Sequence, residues 1–253
     1  MPIYFAGPWP ARLAALLLAA TLNLGHAQQP PAAAAVRSAS VNKNLAPGFS
    51  TRPAASRLVV LPPDMELFSI SAGGVSQPRA DWTEAAQGHF QRALGARSLK
   101  LGAQVTPPDA RQMEEFAELQ TLHRALADAV FIHHTSGGLK LPTKQDRLDW
   151  SLGDAVQPLR ERTGADYALF TWVRDSYASG ERKAALLAMA LLGAIPLGGQ
   201  QIGYASLVDL HTGRIVWFNE LSRFWGDLRE AKPAEETLEA LLKGLPAVEG
   251  ERP

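Results

Sequence analysis

The sequence predicts an α/β (α+β) fold, a mixed β-sheet with helices packed on it in one compact domain. Three observations lead there. Segments of alternating apolar residues interleave with segments of helical spacing, the order that builds a sheet covered by helices. The 253 residues include no cysteine, so the fold rests on its own core, and a hydrophobic fraction of 46% can supply one. Residues 201–221 read as a β-hairpin, two apolar runs around a Thr212-Gly213 turn that tolerates positive φ.

The chain divides into four parts. Residues 1–27 carry one basic residue (Arg12), no acidic one, an apolar run from Leu13 to Leu24, and the small residues Gly25 and Ala27. That is a secretory signal, and its run of about 12 residues is too short for a bilayer, which needs roughly 20. Cleavage after Ala27 would leave Gln28 first, no transmembrane helix in the mature chain, and a periplasmic or secreted protein. Residues 28–56, rich in Pro and Ala, read as a flexible leader. Residues 57–245 form the α/β module, and residues 246–253 a disordered tail.

Within the module, residues 57–61 form a strand stopped by Pro62-Pro63, and 65–70 alternate as a half-exposed strand before Gly73-Gly74. Asp81, with Glu84 three residues on, caps a helix to about Ala96. Residues 98–105 alternate again. Thr106 caps the next helix, with Pro107 first in it and Met113, Phe116, Leu119, Leu122, Leu126 and Val130 as its apolar stripe. A third helix covers 146–162 and ends at Gly164. Residues 167–173 are the most strand-like segment, and a last helix covers 233–245. Residues 184–197 are apolar throughout. They leave three readings open: a buried helix, an exposed face for association, or a shallow membrane insertion. Leu186, Leu187, Met189, Leu191, Leu192 and Ile195 are its candidate interface residues.

Charge narrows the functions. With Arg12 removed, 24 basic residues face 25 acidic ones, too balanced to draw the chain to nucleic acid. Without cysteine there is no thiol catalysis and no thiolate metal site. His123, His133 and His134 lie along one helix at spacings too wide for shared ligation, and a solvent-facing or capping role is expected. Asp209 and His211 flank the hairpin turn with Arg214 beyond. Asp209 is expected to bond its own backbone, and Arg174-Asp175 to make surface ion pairs. Trp82, Trp150, Trp172, Trp217 and Trp225 fall within helix or strand patterns and are expected in the core. No nucleophile elbow, zinc-protease or phosphate-loop motif occurs.

Gly164-Ala165-Asp166-Tyr167, followed after an apolar excursion by Asp209, Thr212-Gly213 and Trp217, resembles a pattern of envelope proteins. That group includes the curli export lipoprotein CsgG, lipoprotein activators of penicillin-binding proteins, and the N-terminal domain of TolB. The strand Leu58-Val59-Val60-Leu61 before Pro62-Pro63 is similar to the first strand of that fold. The resemblance implies a compact α/β module that docks onto partners and carries no active site. Its anchored members use a lipidated cysteine, which this chain lacks, so a soluble periplasmic role is expected. The reading is therefore an exported non-enzymatic envelope module, without cofactor or metal, that binds an envelope protein or self-associates. The alternative is an exported hydrolase, which would require Asp175, Asp209 and His211 to line one cleft.

Overall fold

One long strand, β5 (Tyr167–Ala178), organises the sheet. The computed structural model describes residues 42–98, 101–135, 138–191 and 199–250; the expected signal and residues 28–41 of the expected leader lie outside them. On one side β5 pairs antiparallel with β6 (Gln201–Asp209), from Tyr167↔Asp209 to Asp175↔Gln201, and β6 pairs antiparallel with β7 (Ile215–Arg223). On the other side two strands lie end to end and parallel to it. β1 (Leu58–Val60) faces Tyr167 to Leu169, and β2 (Asp64–Ile70) faces Trp172 to Ala178. Pro62 and Pro63 separate them, since proline has no N–H to continue a ladder. β3 (Ser76–Pro78) pairs antiparallel with β2, and β4 (Ala103–Val105) parallel with β1. The result is one mixed sheet of seven strands, the predicted class.

Alternation along β5 sorts the core into two layers. Leu169 and Val173 face α1 (Ala80–Arg97) and α6 (Ala231–Leu241), packing with Phe90, Leu94, Leu238 and Leu241. Ala168 and Phe170 face the other layer, with Leu119 and Val130 of α3 (Ala117–Val130) and Leu159 of α4 (Gln157–Thr163). A period of two thus puts helices on both faces. The hairpin expectation holds: Leu207 pairs with Trp217, and both are fully buried. Gly164 ends α4 in the left-handed conformation, φ 64°, with its N–H on the Arg160 carbonyl.

Several boundaries differ from the sequence reading. Order does not wait for Arg57: Leu45 bridges Trp217 on the outer edge of β7, and Ala46 and Arg52 are buried. Nor is 246–250 a loose tail, because Arg52 pairs in parallel with Val248. The cap of α1 is Arg79, and Asp81 instead makes two hydrogen bonds with its guanidinium. The next helix is capped by Asp109, not Thr106. Its carboxylate accepts from Gln112 N while the Gln112 side chain accepts from Asp109 N. That helix, α2 (Ala110–Glu114), stops before Phe116, and the break resets the phase of α3. Leu122 is left exposed, and His123 takes its place in the core.

The expected helix over 146–162 is confined to its last turns. Gln145 and Asp146 have φ of 50° and 57°, incompatible with a helix, and Pro158 opens α4. The chain before it works as an edge cover instead, with Ser151 bridging Arg214 and the Trp150 carbonyl accepting from Ile215 N.

Candidate functional site

Helix α5 (Gly180–Leu191) follows β5 and contains the first half of the apolar 184–197 segment; residues 192–198, including Leu192 and Ile195, lie outside the described residues. Among its apolar residues only Leu186 is partly covered. Leu187 is 66% exposed, Met189 45% and Leu191 82%, and Ala184, Ala185, Ala188 and Ala190 are exposed as well. The helix therefore touches its own domain along one narrow face, through Arg182, which donates to the Ser71 carbonyl, and Leu186.

A second apolar feature lies beside it. β7 ends at Arg223, and Phe224 and Trp225 follow, 60% and 70% exposed. Both rings line one cavity of about 490 Å³ together with Leu186, Leu187 and Ala190 of α5. The sequence reading placed Trp225 in the core, which is wrong. The strand alternation stops at Arg223, and Gly226 with φ 103° turns the chain away. The available signal was Gly226 directly behind the Phe-Trp pair, since glycine there ends a strand and lets the chain turn. At the cavity wall Gly199 passes so close to β5 that a Cβ there would come within 1.8 Å of the Ser176 carbonyl oxygen. Only glycine fits.

The cavity floor holds a buried carboxylate. Asp175 is 3% exposed, and its Oδ2 accepts from the Tyr177 hydroxyl at 2.5 Å and from the Gln201 amide at 2.6 Å. Burial pushes its pKa up to about 6, against those two hydrogen bonds, which pull it down. The Tyr177 hydroxyl in turn accepts from Leu228 N at 2.6 Å. Gln201 Oε1 accepts from Arg223 Nε at 2.7 Å and from the Thr237 hydroxyl at 3.1 Å. Arg229 closes the turn, its guanidinium over the Trp82 and Tyr177 rings and bonded to Asp227. Among the described residues Asp175 makes no surface ion pair, contrary to expectation. Strand alternation sends Arg174 to the opposite face, where it bonds Asp64 at 2.8 Å.

The other sequence candidates are dispersed. Asp209 accepts from His211 N and from the Thr212 hydroxyl, both at 2.8 Å, so it shapes the turn as expected. His211 donates to Asp166 at 2.8 Å. Asp175 lies eight residues along β5 from the partner of Asp209, roughly 26 Å at about 3.3 Å per residue. The structure does not bring Asp175, Asp209 and His211 into one cleft. His134 donates to the Lys43 carbonyl and His133 to the Leu139 carbonyl. His123, expected to face solvent, is buried. It shares a 2.6 Å hydrogen bond with Ser206 and stacks on Phe170, and desolvation lowers its pKa to about 3. A larger cavity of about 660 Å³ opens beside it at the Pro62-Pro63 break. The Arg124 and Asp64 at its rim already pair with each other.

No protein-family model and no curated protein matches the chain. Solved structures do. The chain is similar to the PelC dodecamer from Paraburkholderia phytofirmans at 14% identity and a TM-score of 0.37, over 78% of this chain and 94% of that one. It is similar to lipoprotein GNA1162 from Neisseria meningitidis at 16% identity and a TM-score of 0.30, over 66% and 81%. It is also similar to the LpoB C-terminal domain from Salmonella enterica at 14% identity and a TM-score of 0.27, over 70% and 87%.

Proposed function

We propose that the chain is an exported, non-enzymatic envelope module that self-associates through α5 and the adjoining Phe224-Trp225 turn. The observation that carries this reading is the clustering of Leu187, Met189, Leu191, Phe224 and Trp225 on two neighbouring segments. At roughly 200 Å² for a fully exposed large apolar side chain, their exposures leave about 650 Å² in contact with water. Monomers seldom tolerate more than a few hundred, and a stable interface takes about 800 Å² from each partner.

A second copy of the chain fits this surface. From Ala184 to Leu191 the helix has no charged residue to oppose another apolar helix, and its four alanines permit close approach. A contact of α5 with its copy is self-complementary, as two-fold interfaces are. Export rests on the signal features of residues 1–27, and the position in the envelope follows from it.

Light scattering of residues 28–253 tests the reading. The native chain is expected as a dimer or larger, and Leu187→Gln with Leu191→Gln as a folded monomer. A native chain that stays monomeric overturns it. If that monomer sediments with lipid vesicles, the segment inserts in membranes instead; if it captures an envelope protein, the surface serves a different partner.

A further inference from the structure

The turn bearing Phe224 and Trp225 is held at both ends by one buried network. At its start, Arg223 donates to Gln201, and its guanidinium also reaches the Thr237 hydroxyl. At its far end, Leu228 N donates to the Tyr177 hydroxyl. Gln201 and Tyr177 both donate to the same oxygen, Asp175 Oδ2. A single carboxylate thus fixes the orientation of both clamps. Both bonds end on one carboxylate oxygen, which when ionised can only accept and so takes both donors.

We propose that Asp175 is the positioning residue of the association surface: its carboxylate holds the Phe224-Trp225 turn against α5, and proton uptake there loosens the turn and weakens association. This rests on the self-association reading of the same surface. A protonated carboxyl loses the charge that strengthens both bonds and gains a hydroxyl needing an acceptor of its own. Tyr177 and Gln201, whose two bonds hold the pKa of Asp175 down, are then free to turn away while the carboxyl stays buried on β5. The loosened turn thus binds the proton more tightly than the closed one, and the rings lose their fixed spacing from Leu187. Burial places this titration near pH 6.

Other charged groups face the same network. Lys183 of α5 shares the cavity, Arg223 of β7 has Glu236 of α6 nearby, and Asp227 pairs with Arg229 in the turn. His89 of α1 donates to the Arg229 carbonyl at 3.2 Å. None of these bonds both clamps, which singles out Asp175.

Sedimentation velocity of residues 28–253 at pH 5.0 and 7.5, paired with hydrogen exchange at the Leu228 amide, tests the proposal. The native chain should associate at least tenfold more weakly at pH 5.0, and the Leu228 amide, corrected for intrinsic rate, should lose protection in step. Asp175→Asn should associate weakly at both values with no pH dependence, while His89→Gln keeps the native dependence. Equal native association at both pH values overturns the inference and leaves self-association standing. Retention of the native pH dependence in Asp175→Asn overturns it as well. A native chain that never associates refutes the proposed function instead, and the Leu228 amide then still reports whether Asp175 controls the turn. Should Asp175→Asn not fold, Tyr177→Phe takes its place, and native association by that variant at pH 7.5 overturns the inference.

Discussion

Arg52 donates from Nη2 to the Leu101 carbonyl at 2.7 Å, from a side chain only 1% exposed. Its Nε donates to the Pro246 carbonyl at 3.0 Å, and its backbone exchanges hydrogen bonds with Ala247 and Glu249. One side chain thereby straps the segment before β1, the loop before β4 and the end of the chain together. Neither end of the module is the loose linker its composition suggests.

Arg52→Met should therefore destabilise the fold by about 2–4 kcal/mol, because two carbonyls lose charged donors inside the protein. Urea unfolding of the variant beside the native chain measures it. A loss below about 0.5 kcal/mol would mean the strap forms without the guanidinium.

Trp217 is fully buried, and its Nε1 has no partner among the described residues, so packing alone accounts for its contribution. It joins the edge bridge to Leu45 with the layer containing Leu238 and Leu241. Replacement by Ala should cost roughly 3–5 kcal/mol in the same assay. A cost under about 1 kcal/mol would require the neighbours to collapse into the space.

How much of this was legible in the sequence depends on the range of the interaction. The hairpin around Gly213, the strand ending at Pro62-Pro63 and the cap at Gly164 are short-range events, decided by alternation and by two residue types. The burial of His123 was hidden because a break at Phe116 rotates α3 away from the stripe that a continuous helix would present. The site was half visible. The apolarity of α5 could be read directly, but Tyr177 meets Leu228 across more than fifty residues, and Asp175 meets Gln201 only through the pairing of β5 with β6. Trp225 was misplaced because periodicity gives no warning of where a strand ends and its last aromatic turns outward.

Asp175 gives the fold a specific pH signature. Its pKa is about 6 when folded and near 3.8 when unfolded, so the folded state holds the extra proton between those values. That contribution to stability is full in acid and is lost as pH rises through 6. The difference in unfolding midpoint between the native chain and Asp175→Asn should consequently change from pH 4 to pH 7, in the direction that disfavours the native chain at pH 7. A constant difference across that range would mean the carboxyl titrates at its ordinary value.

His123 acts in the opposite sense. Its pKa falls from 6.5 to about 3 because desolvation penalises the imidazolium between Phe170 and Ser206. The unfolded chain binds the proton first, so this contribution is full above 6.5 and is lost as pH falls toward 3. Between about pH 4 and 6 it runs against the Asp175 effect, and the native chain should show a shallow profile there. Replacing both hydrogen-bonding partners, His123→Leu with Ser206→Ala, leaves no orphaned hydroxyl and removes the titration. The double variant should lose less stability than the native chain when the pH is lowered from 7 to 4.5, as thermal unfolding at the two pH values will show. An equal loss in both proteins would mean that His123 takes up its proton without leaving the core, and that the layer around Phe170 opens to water in acid.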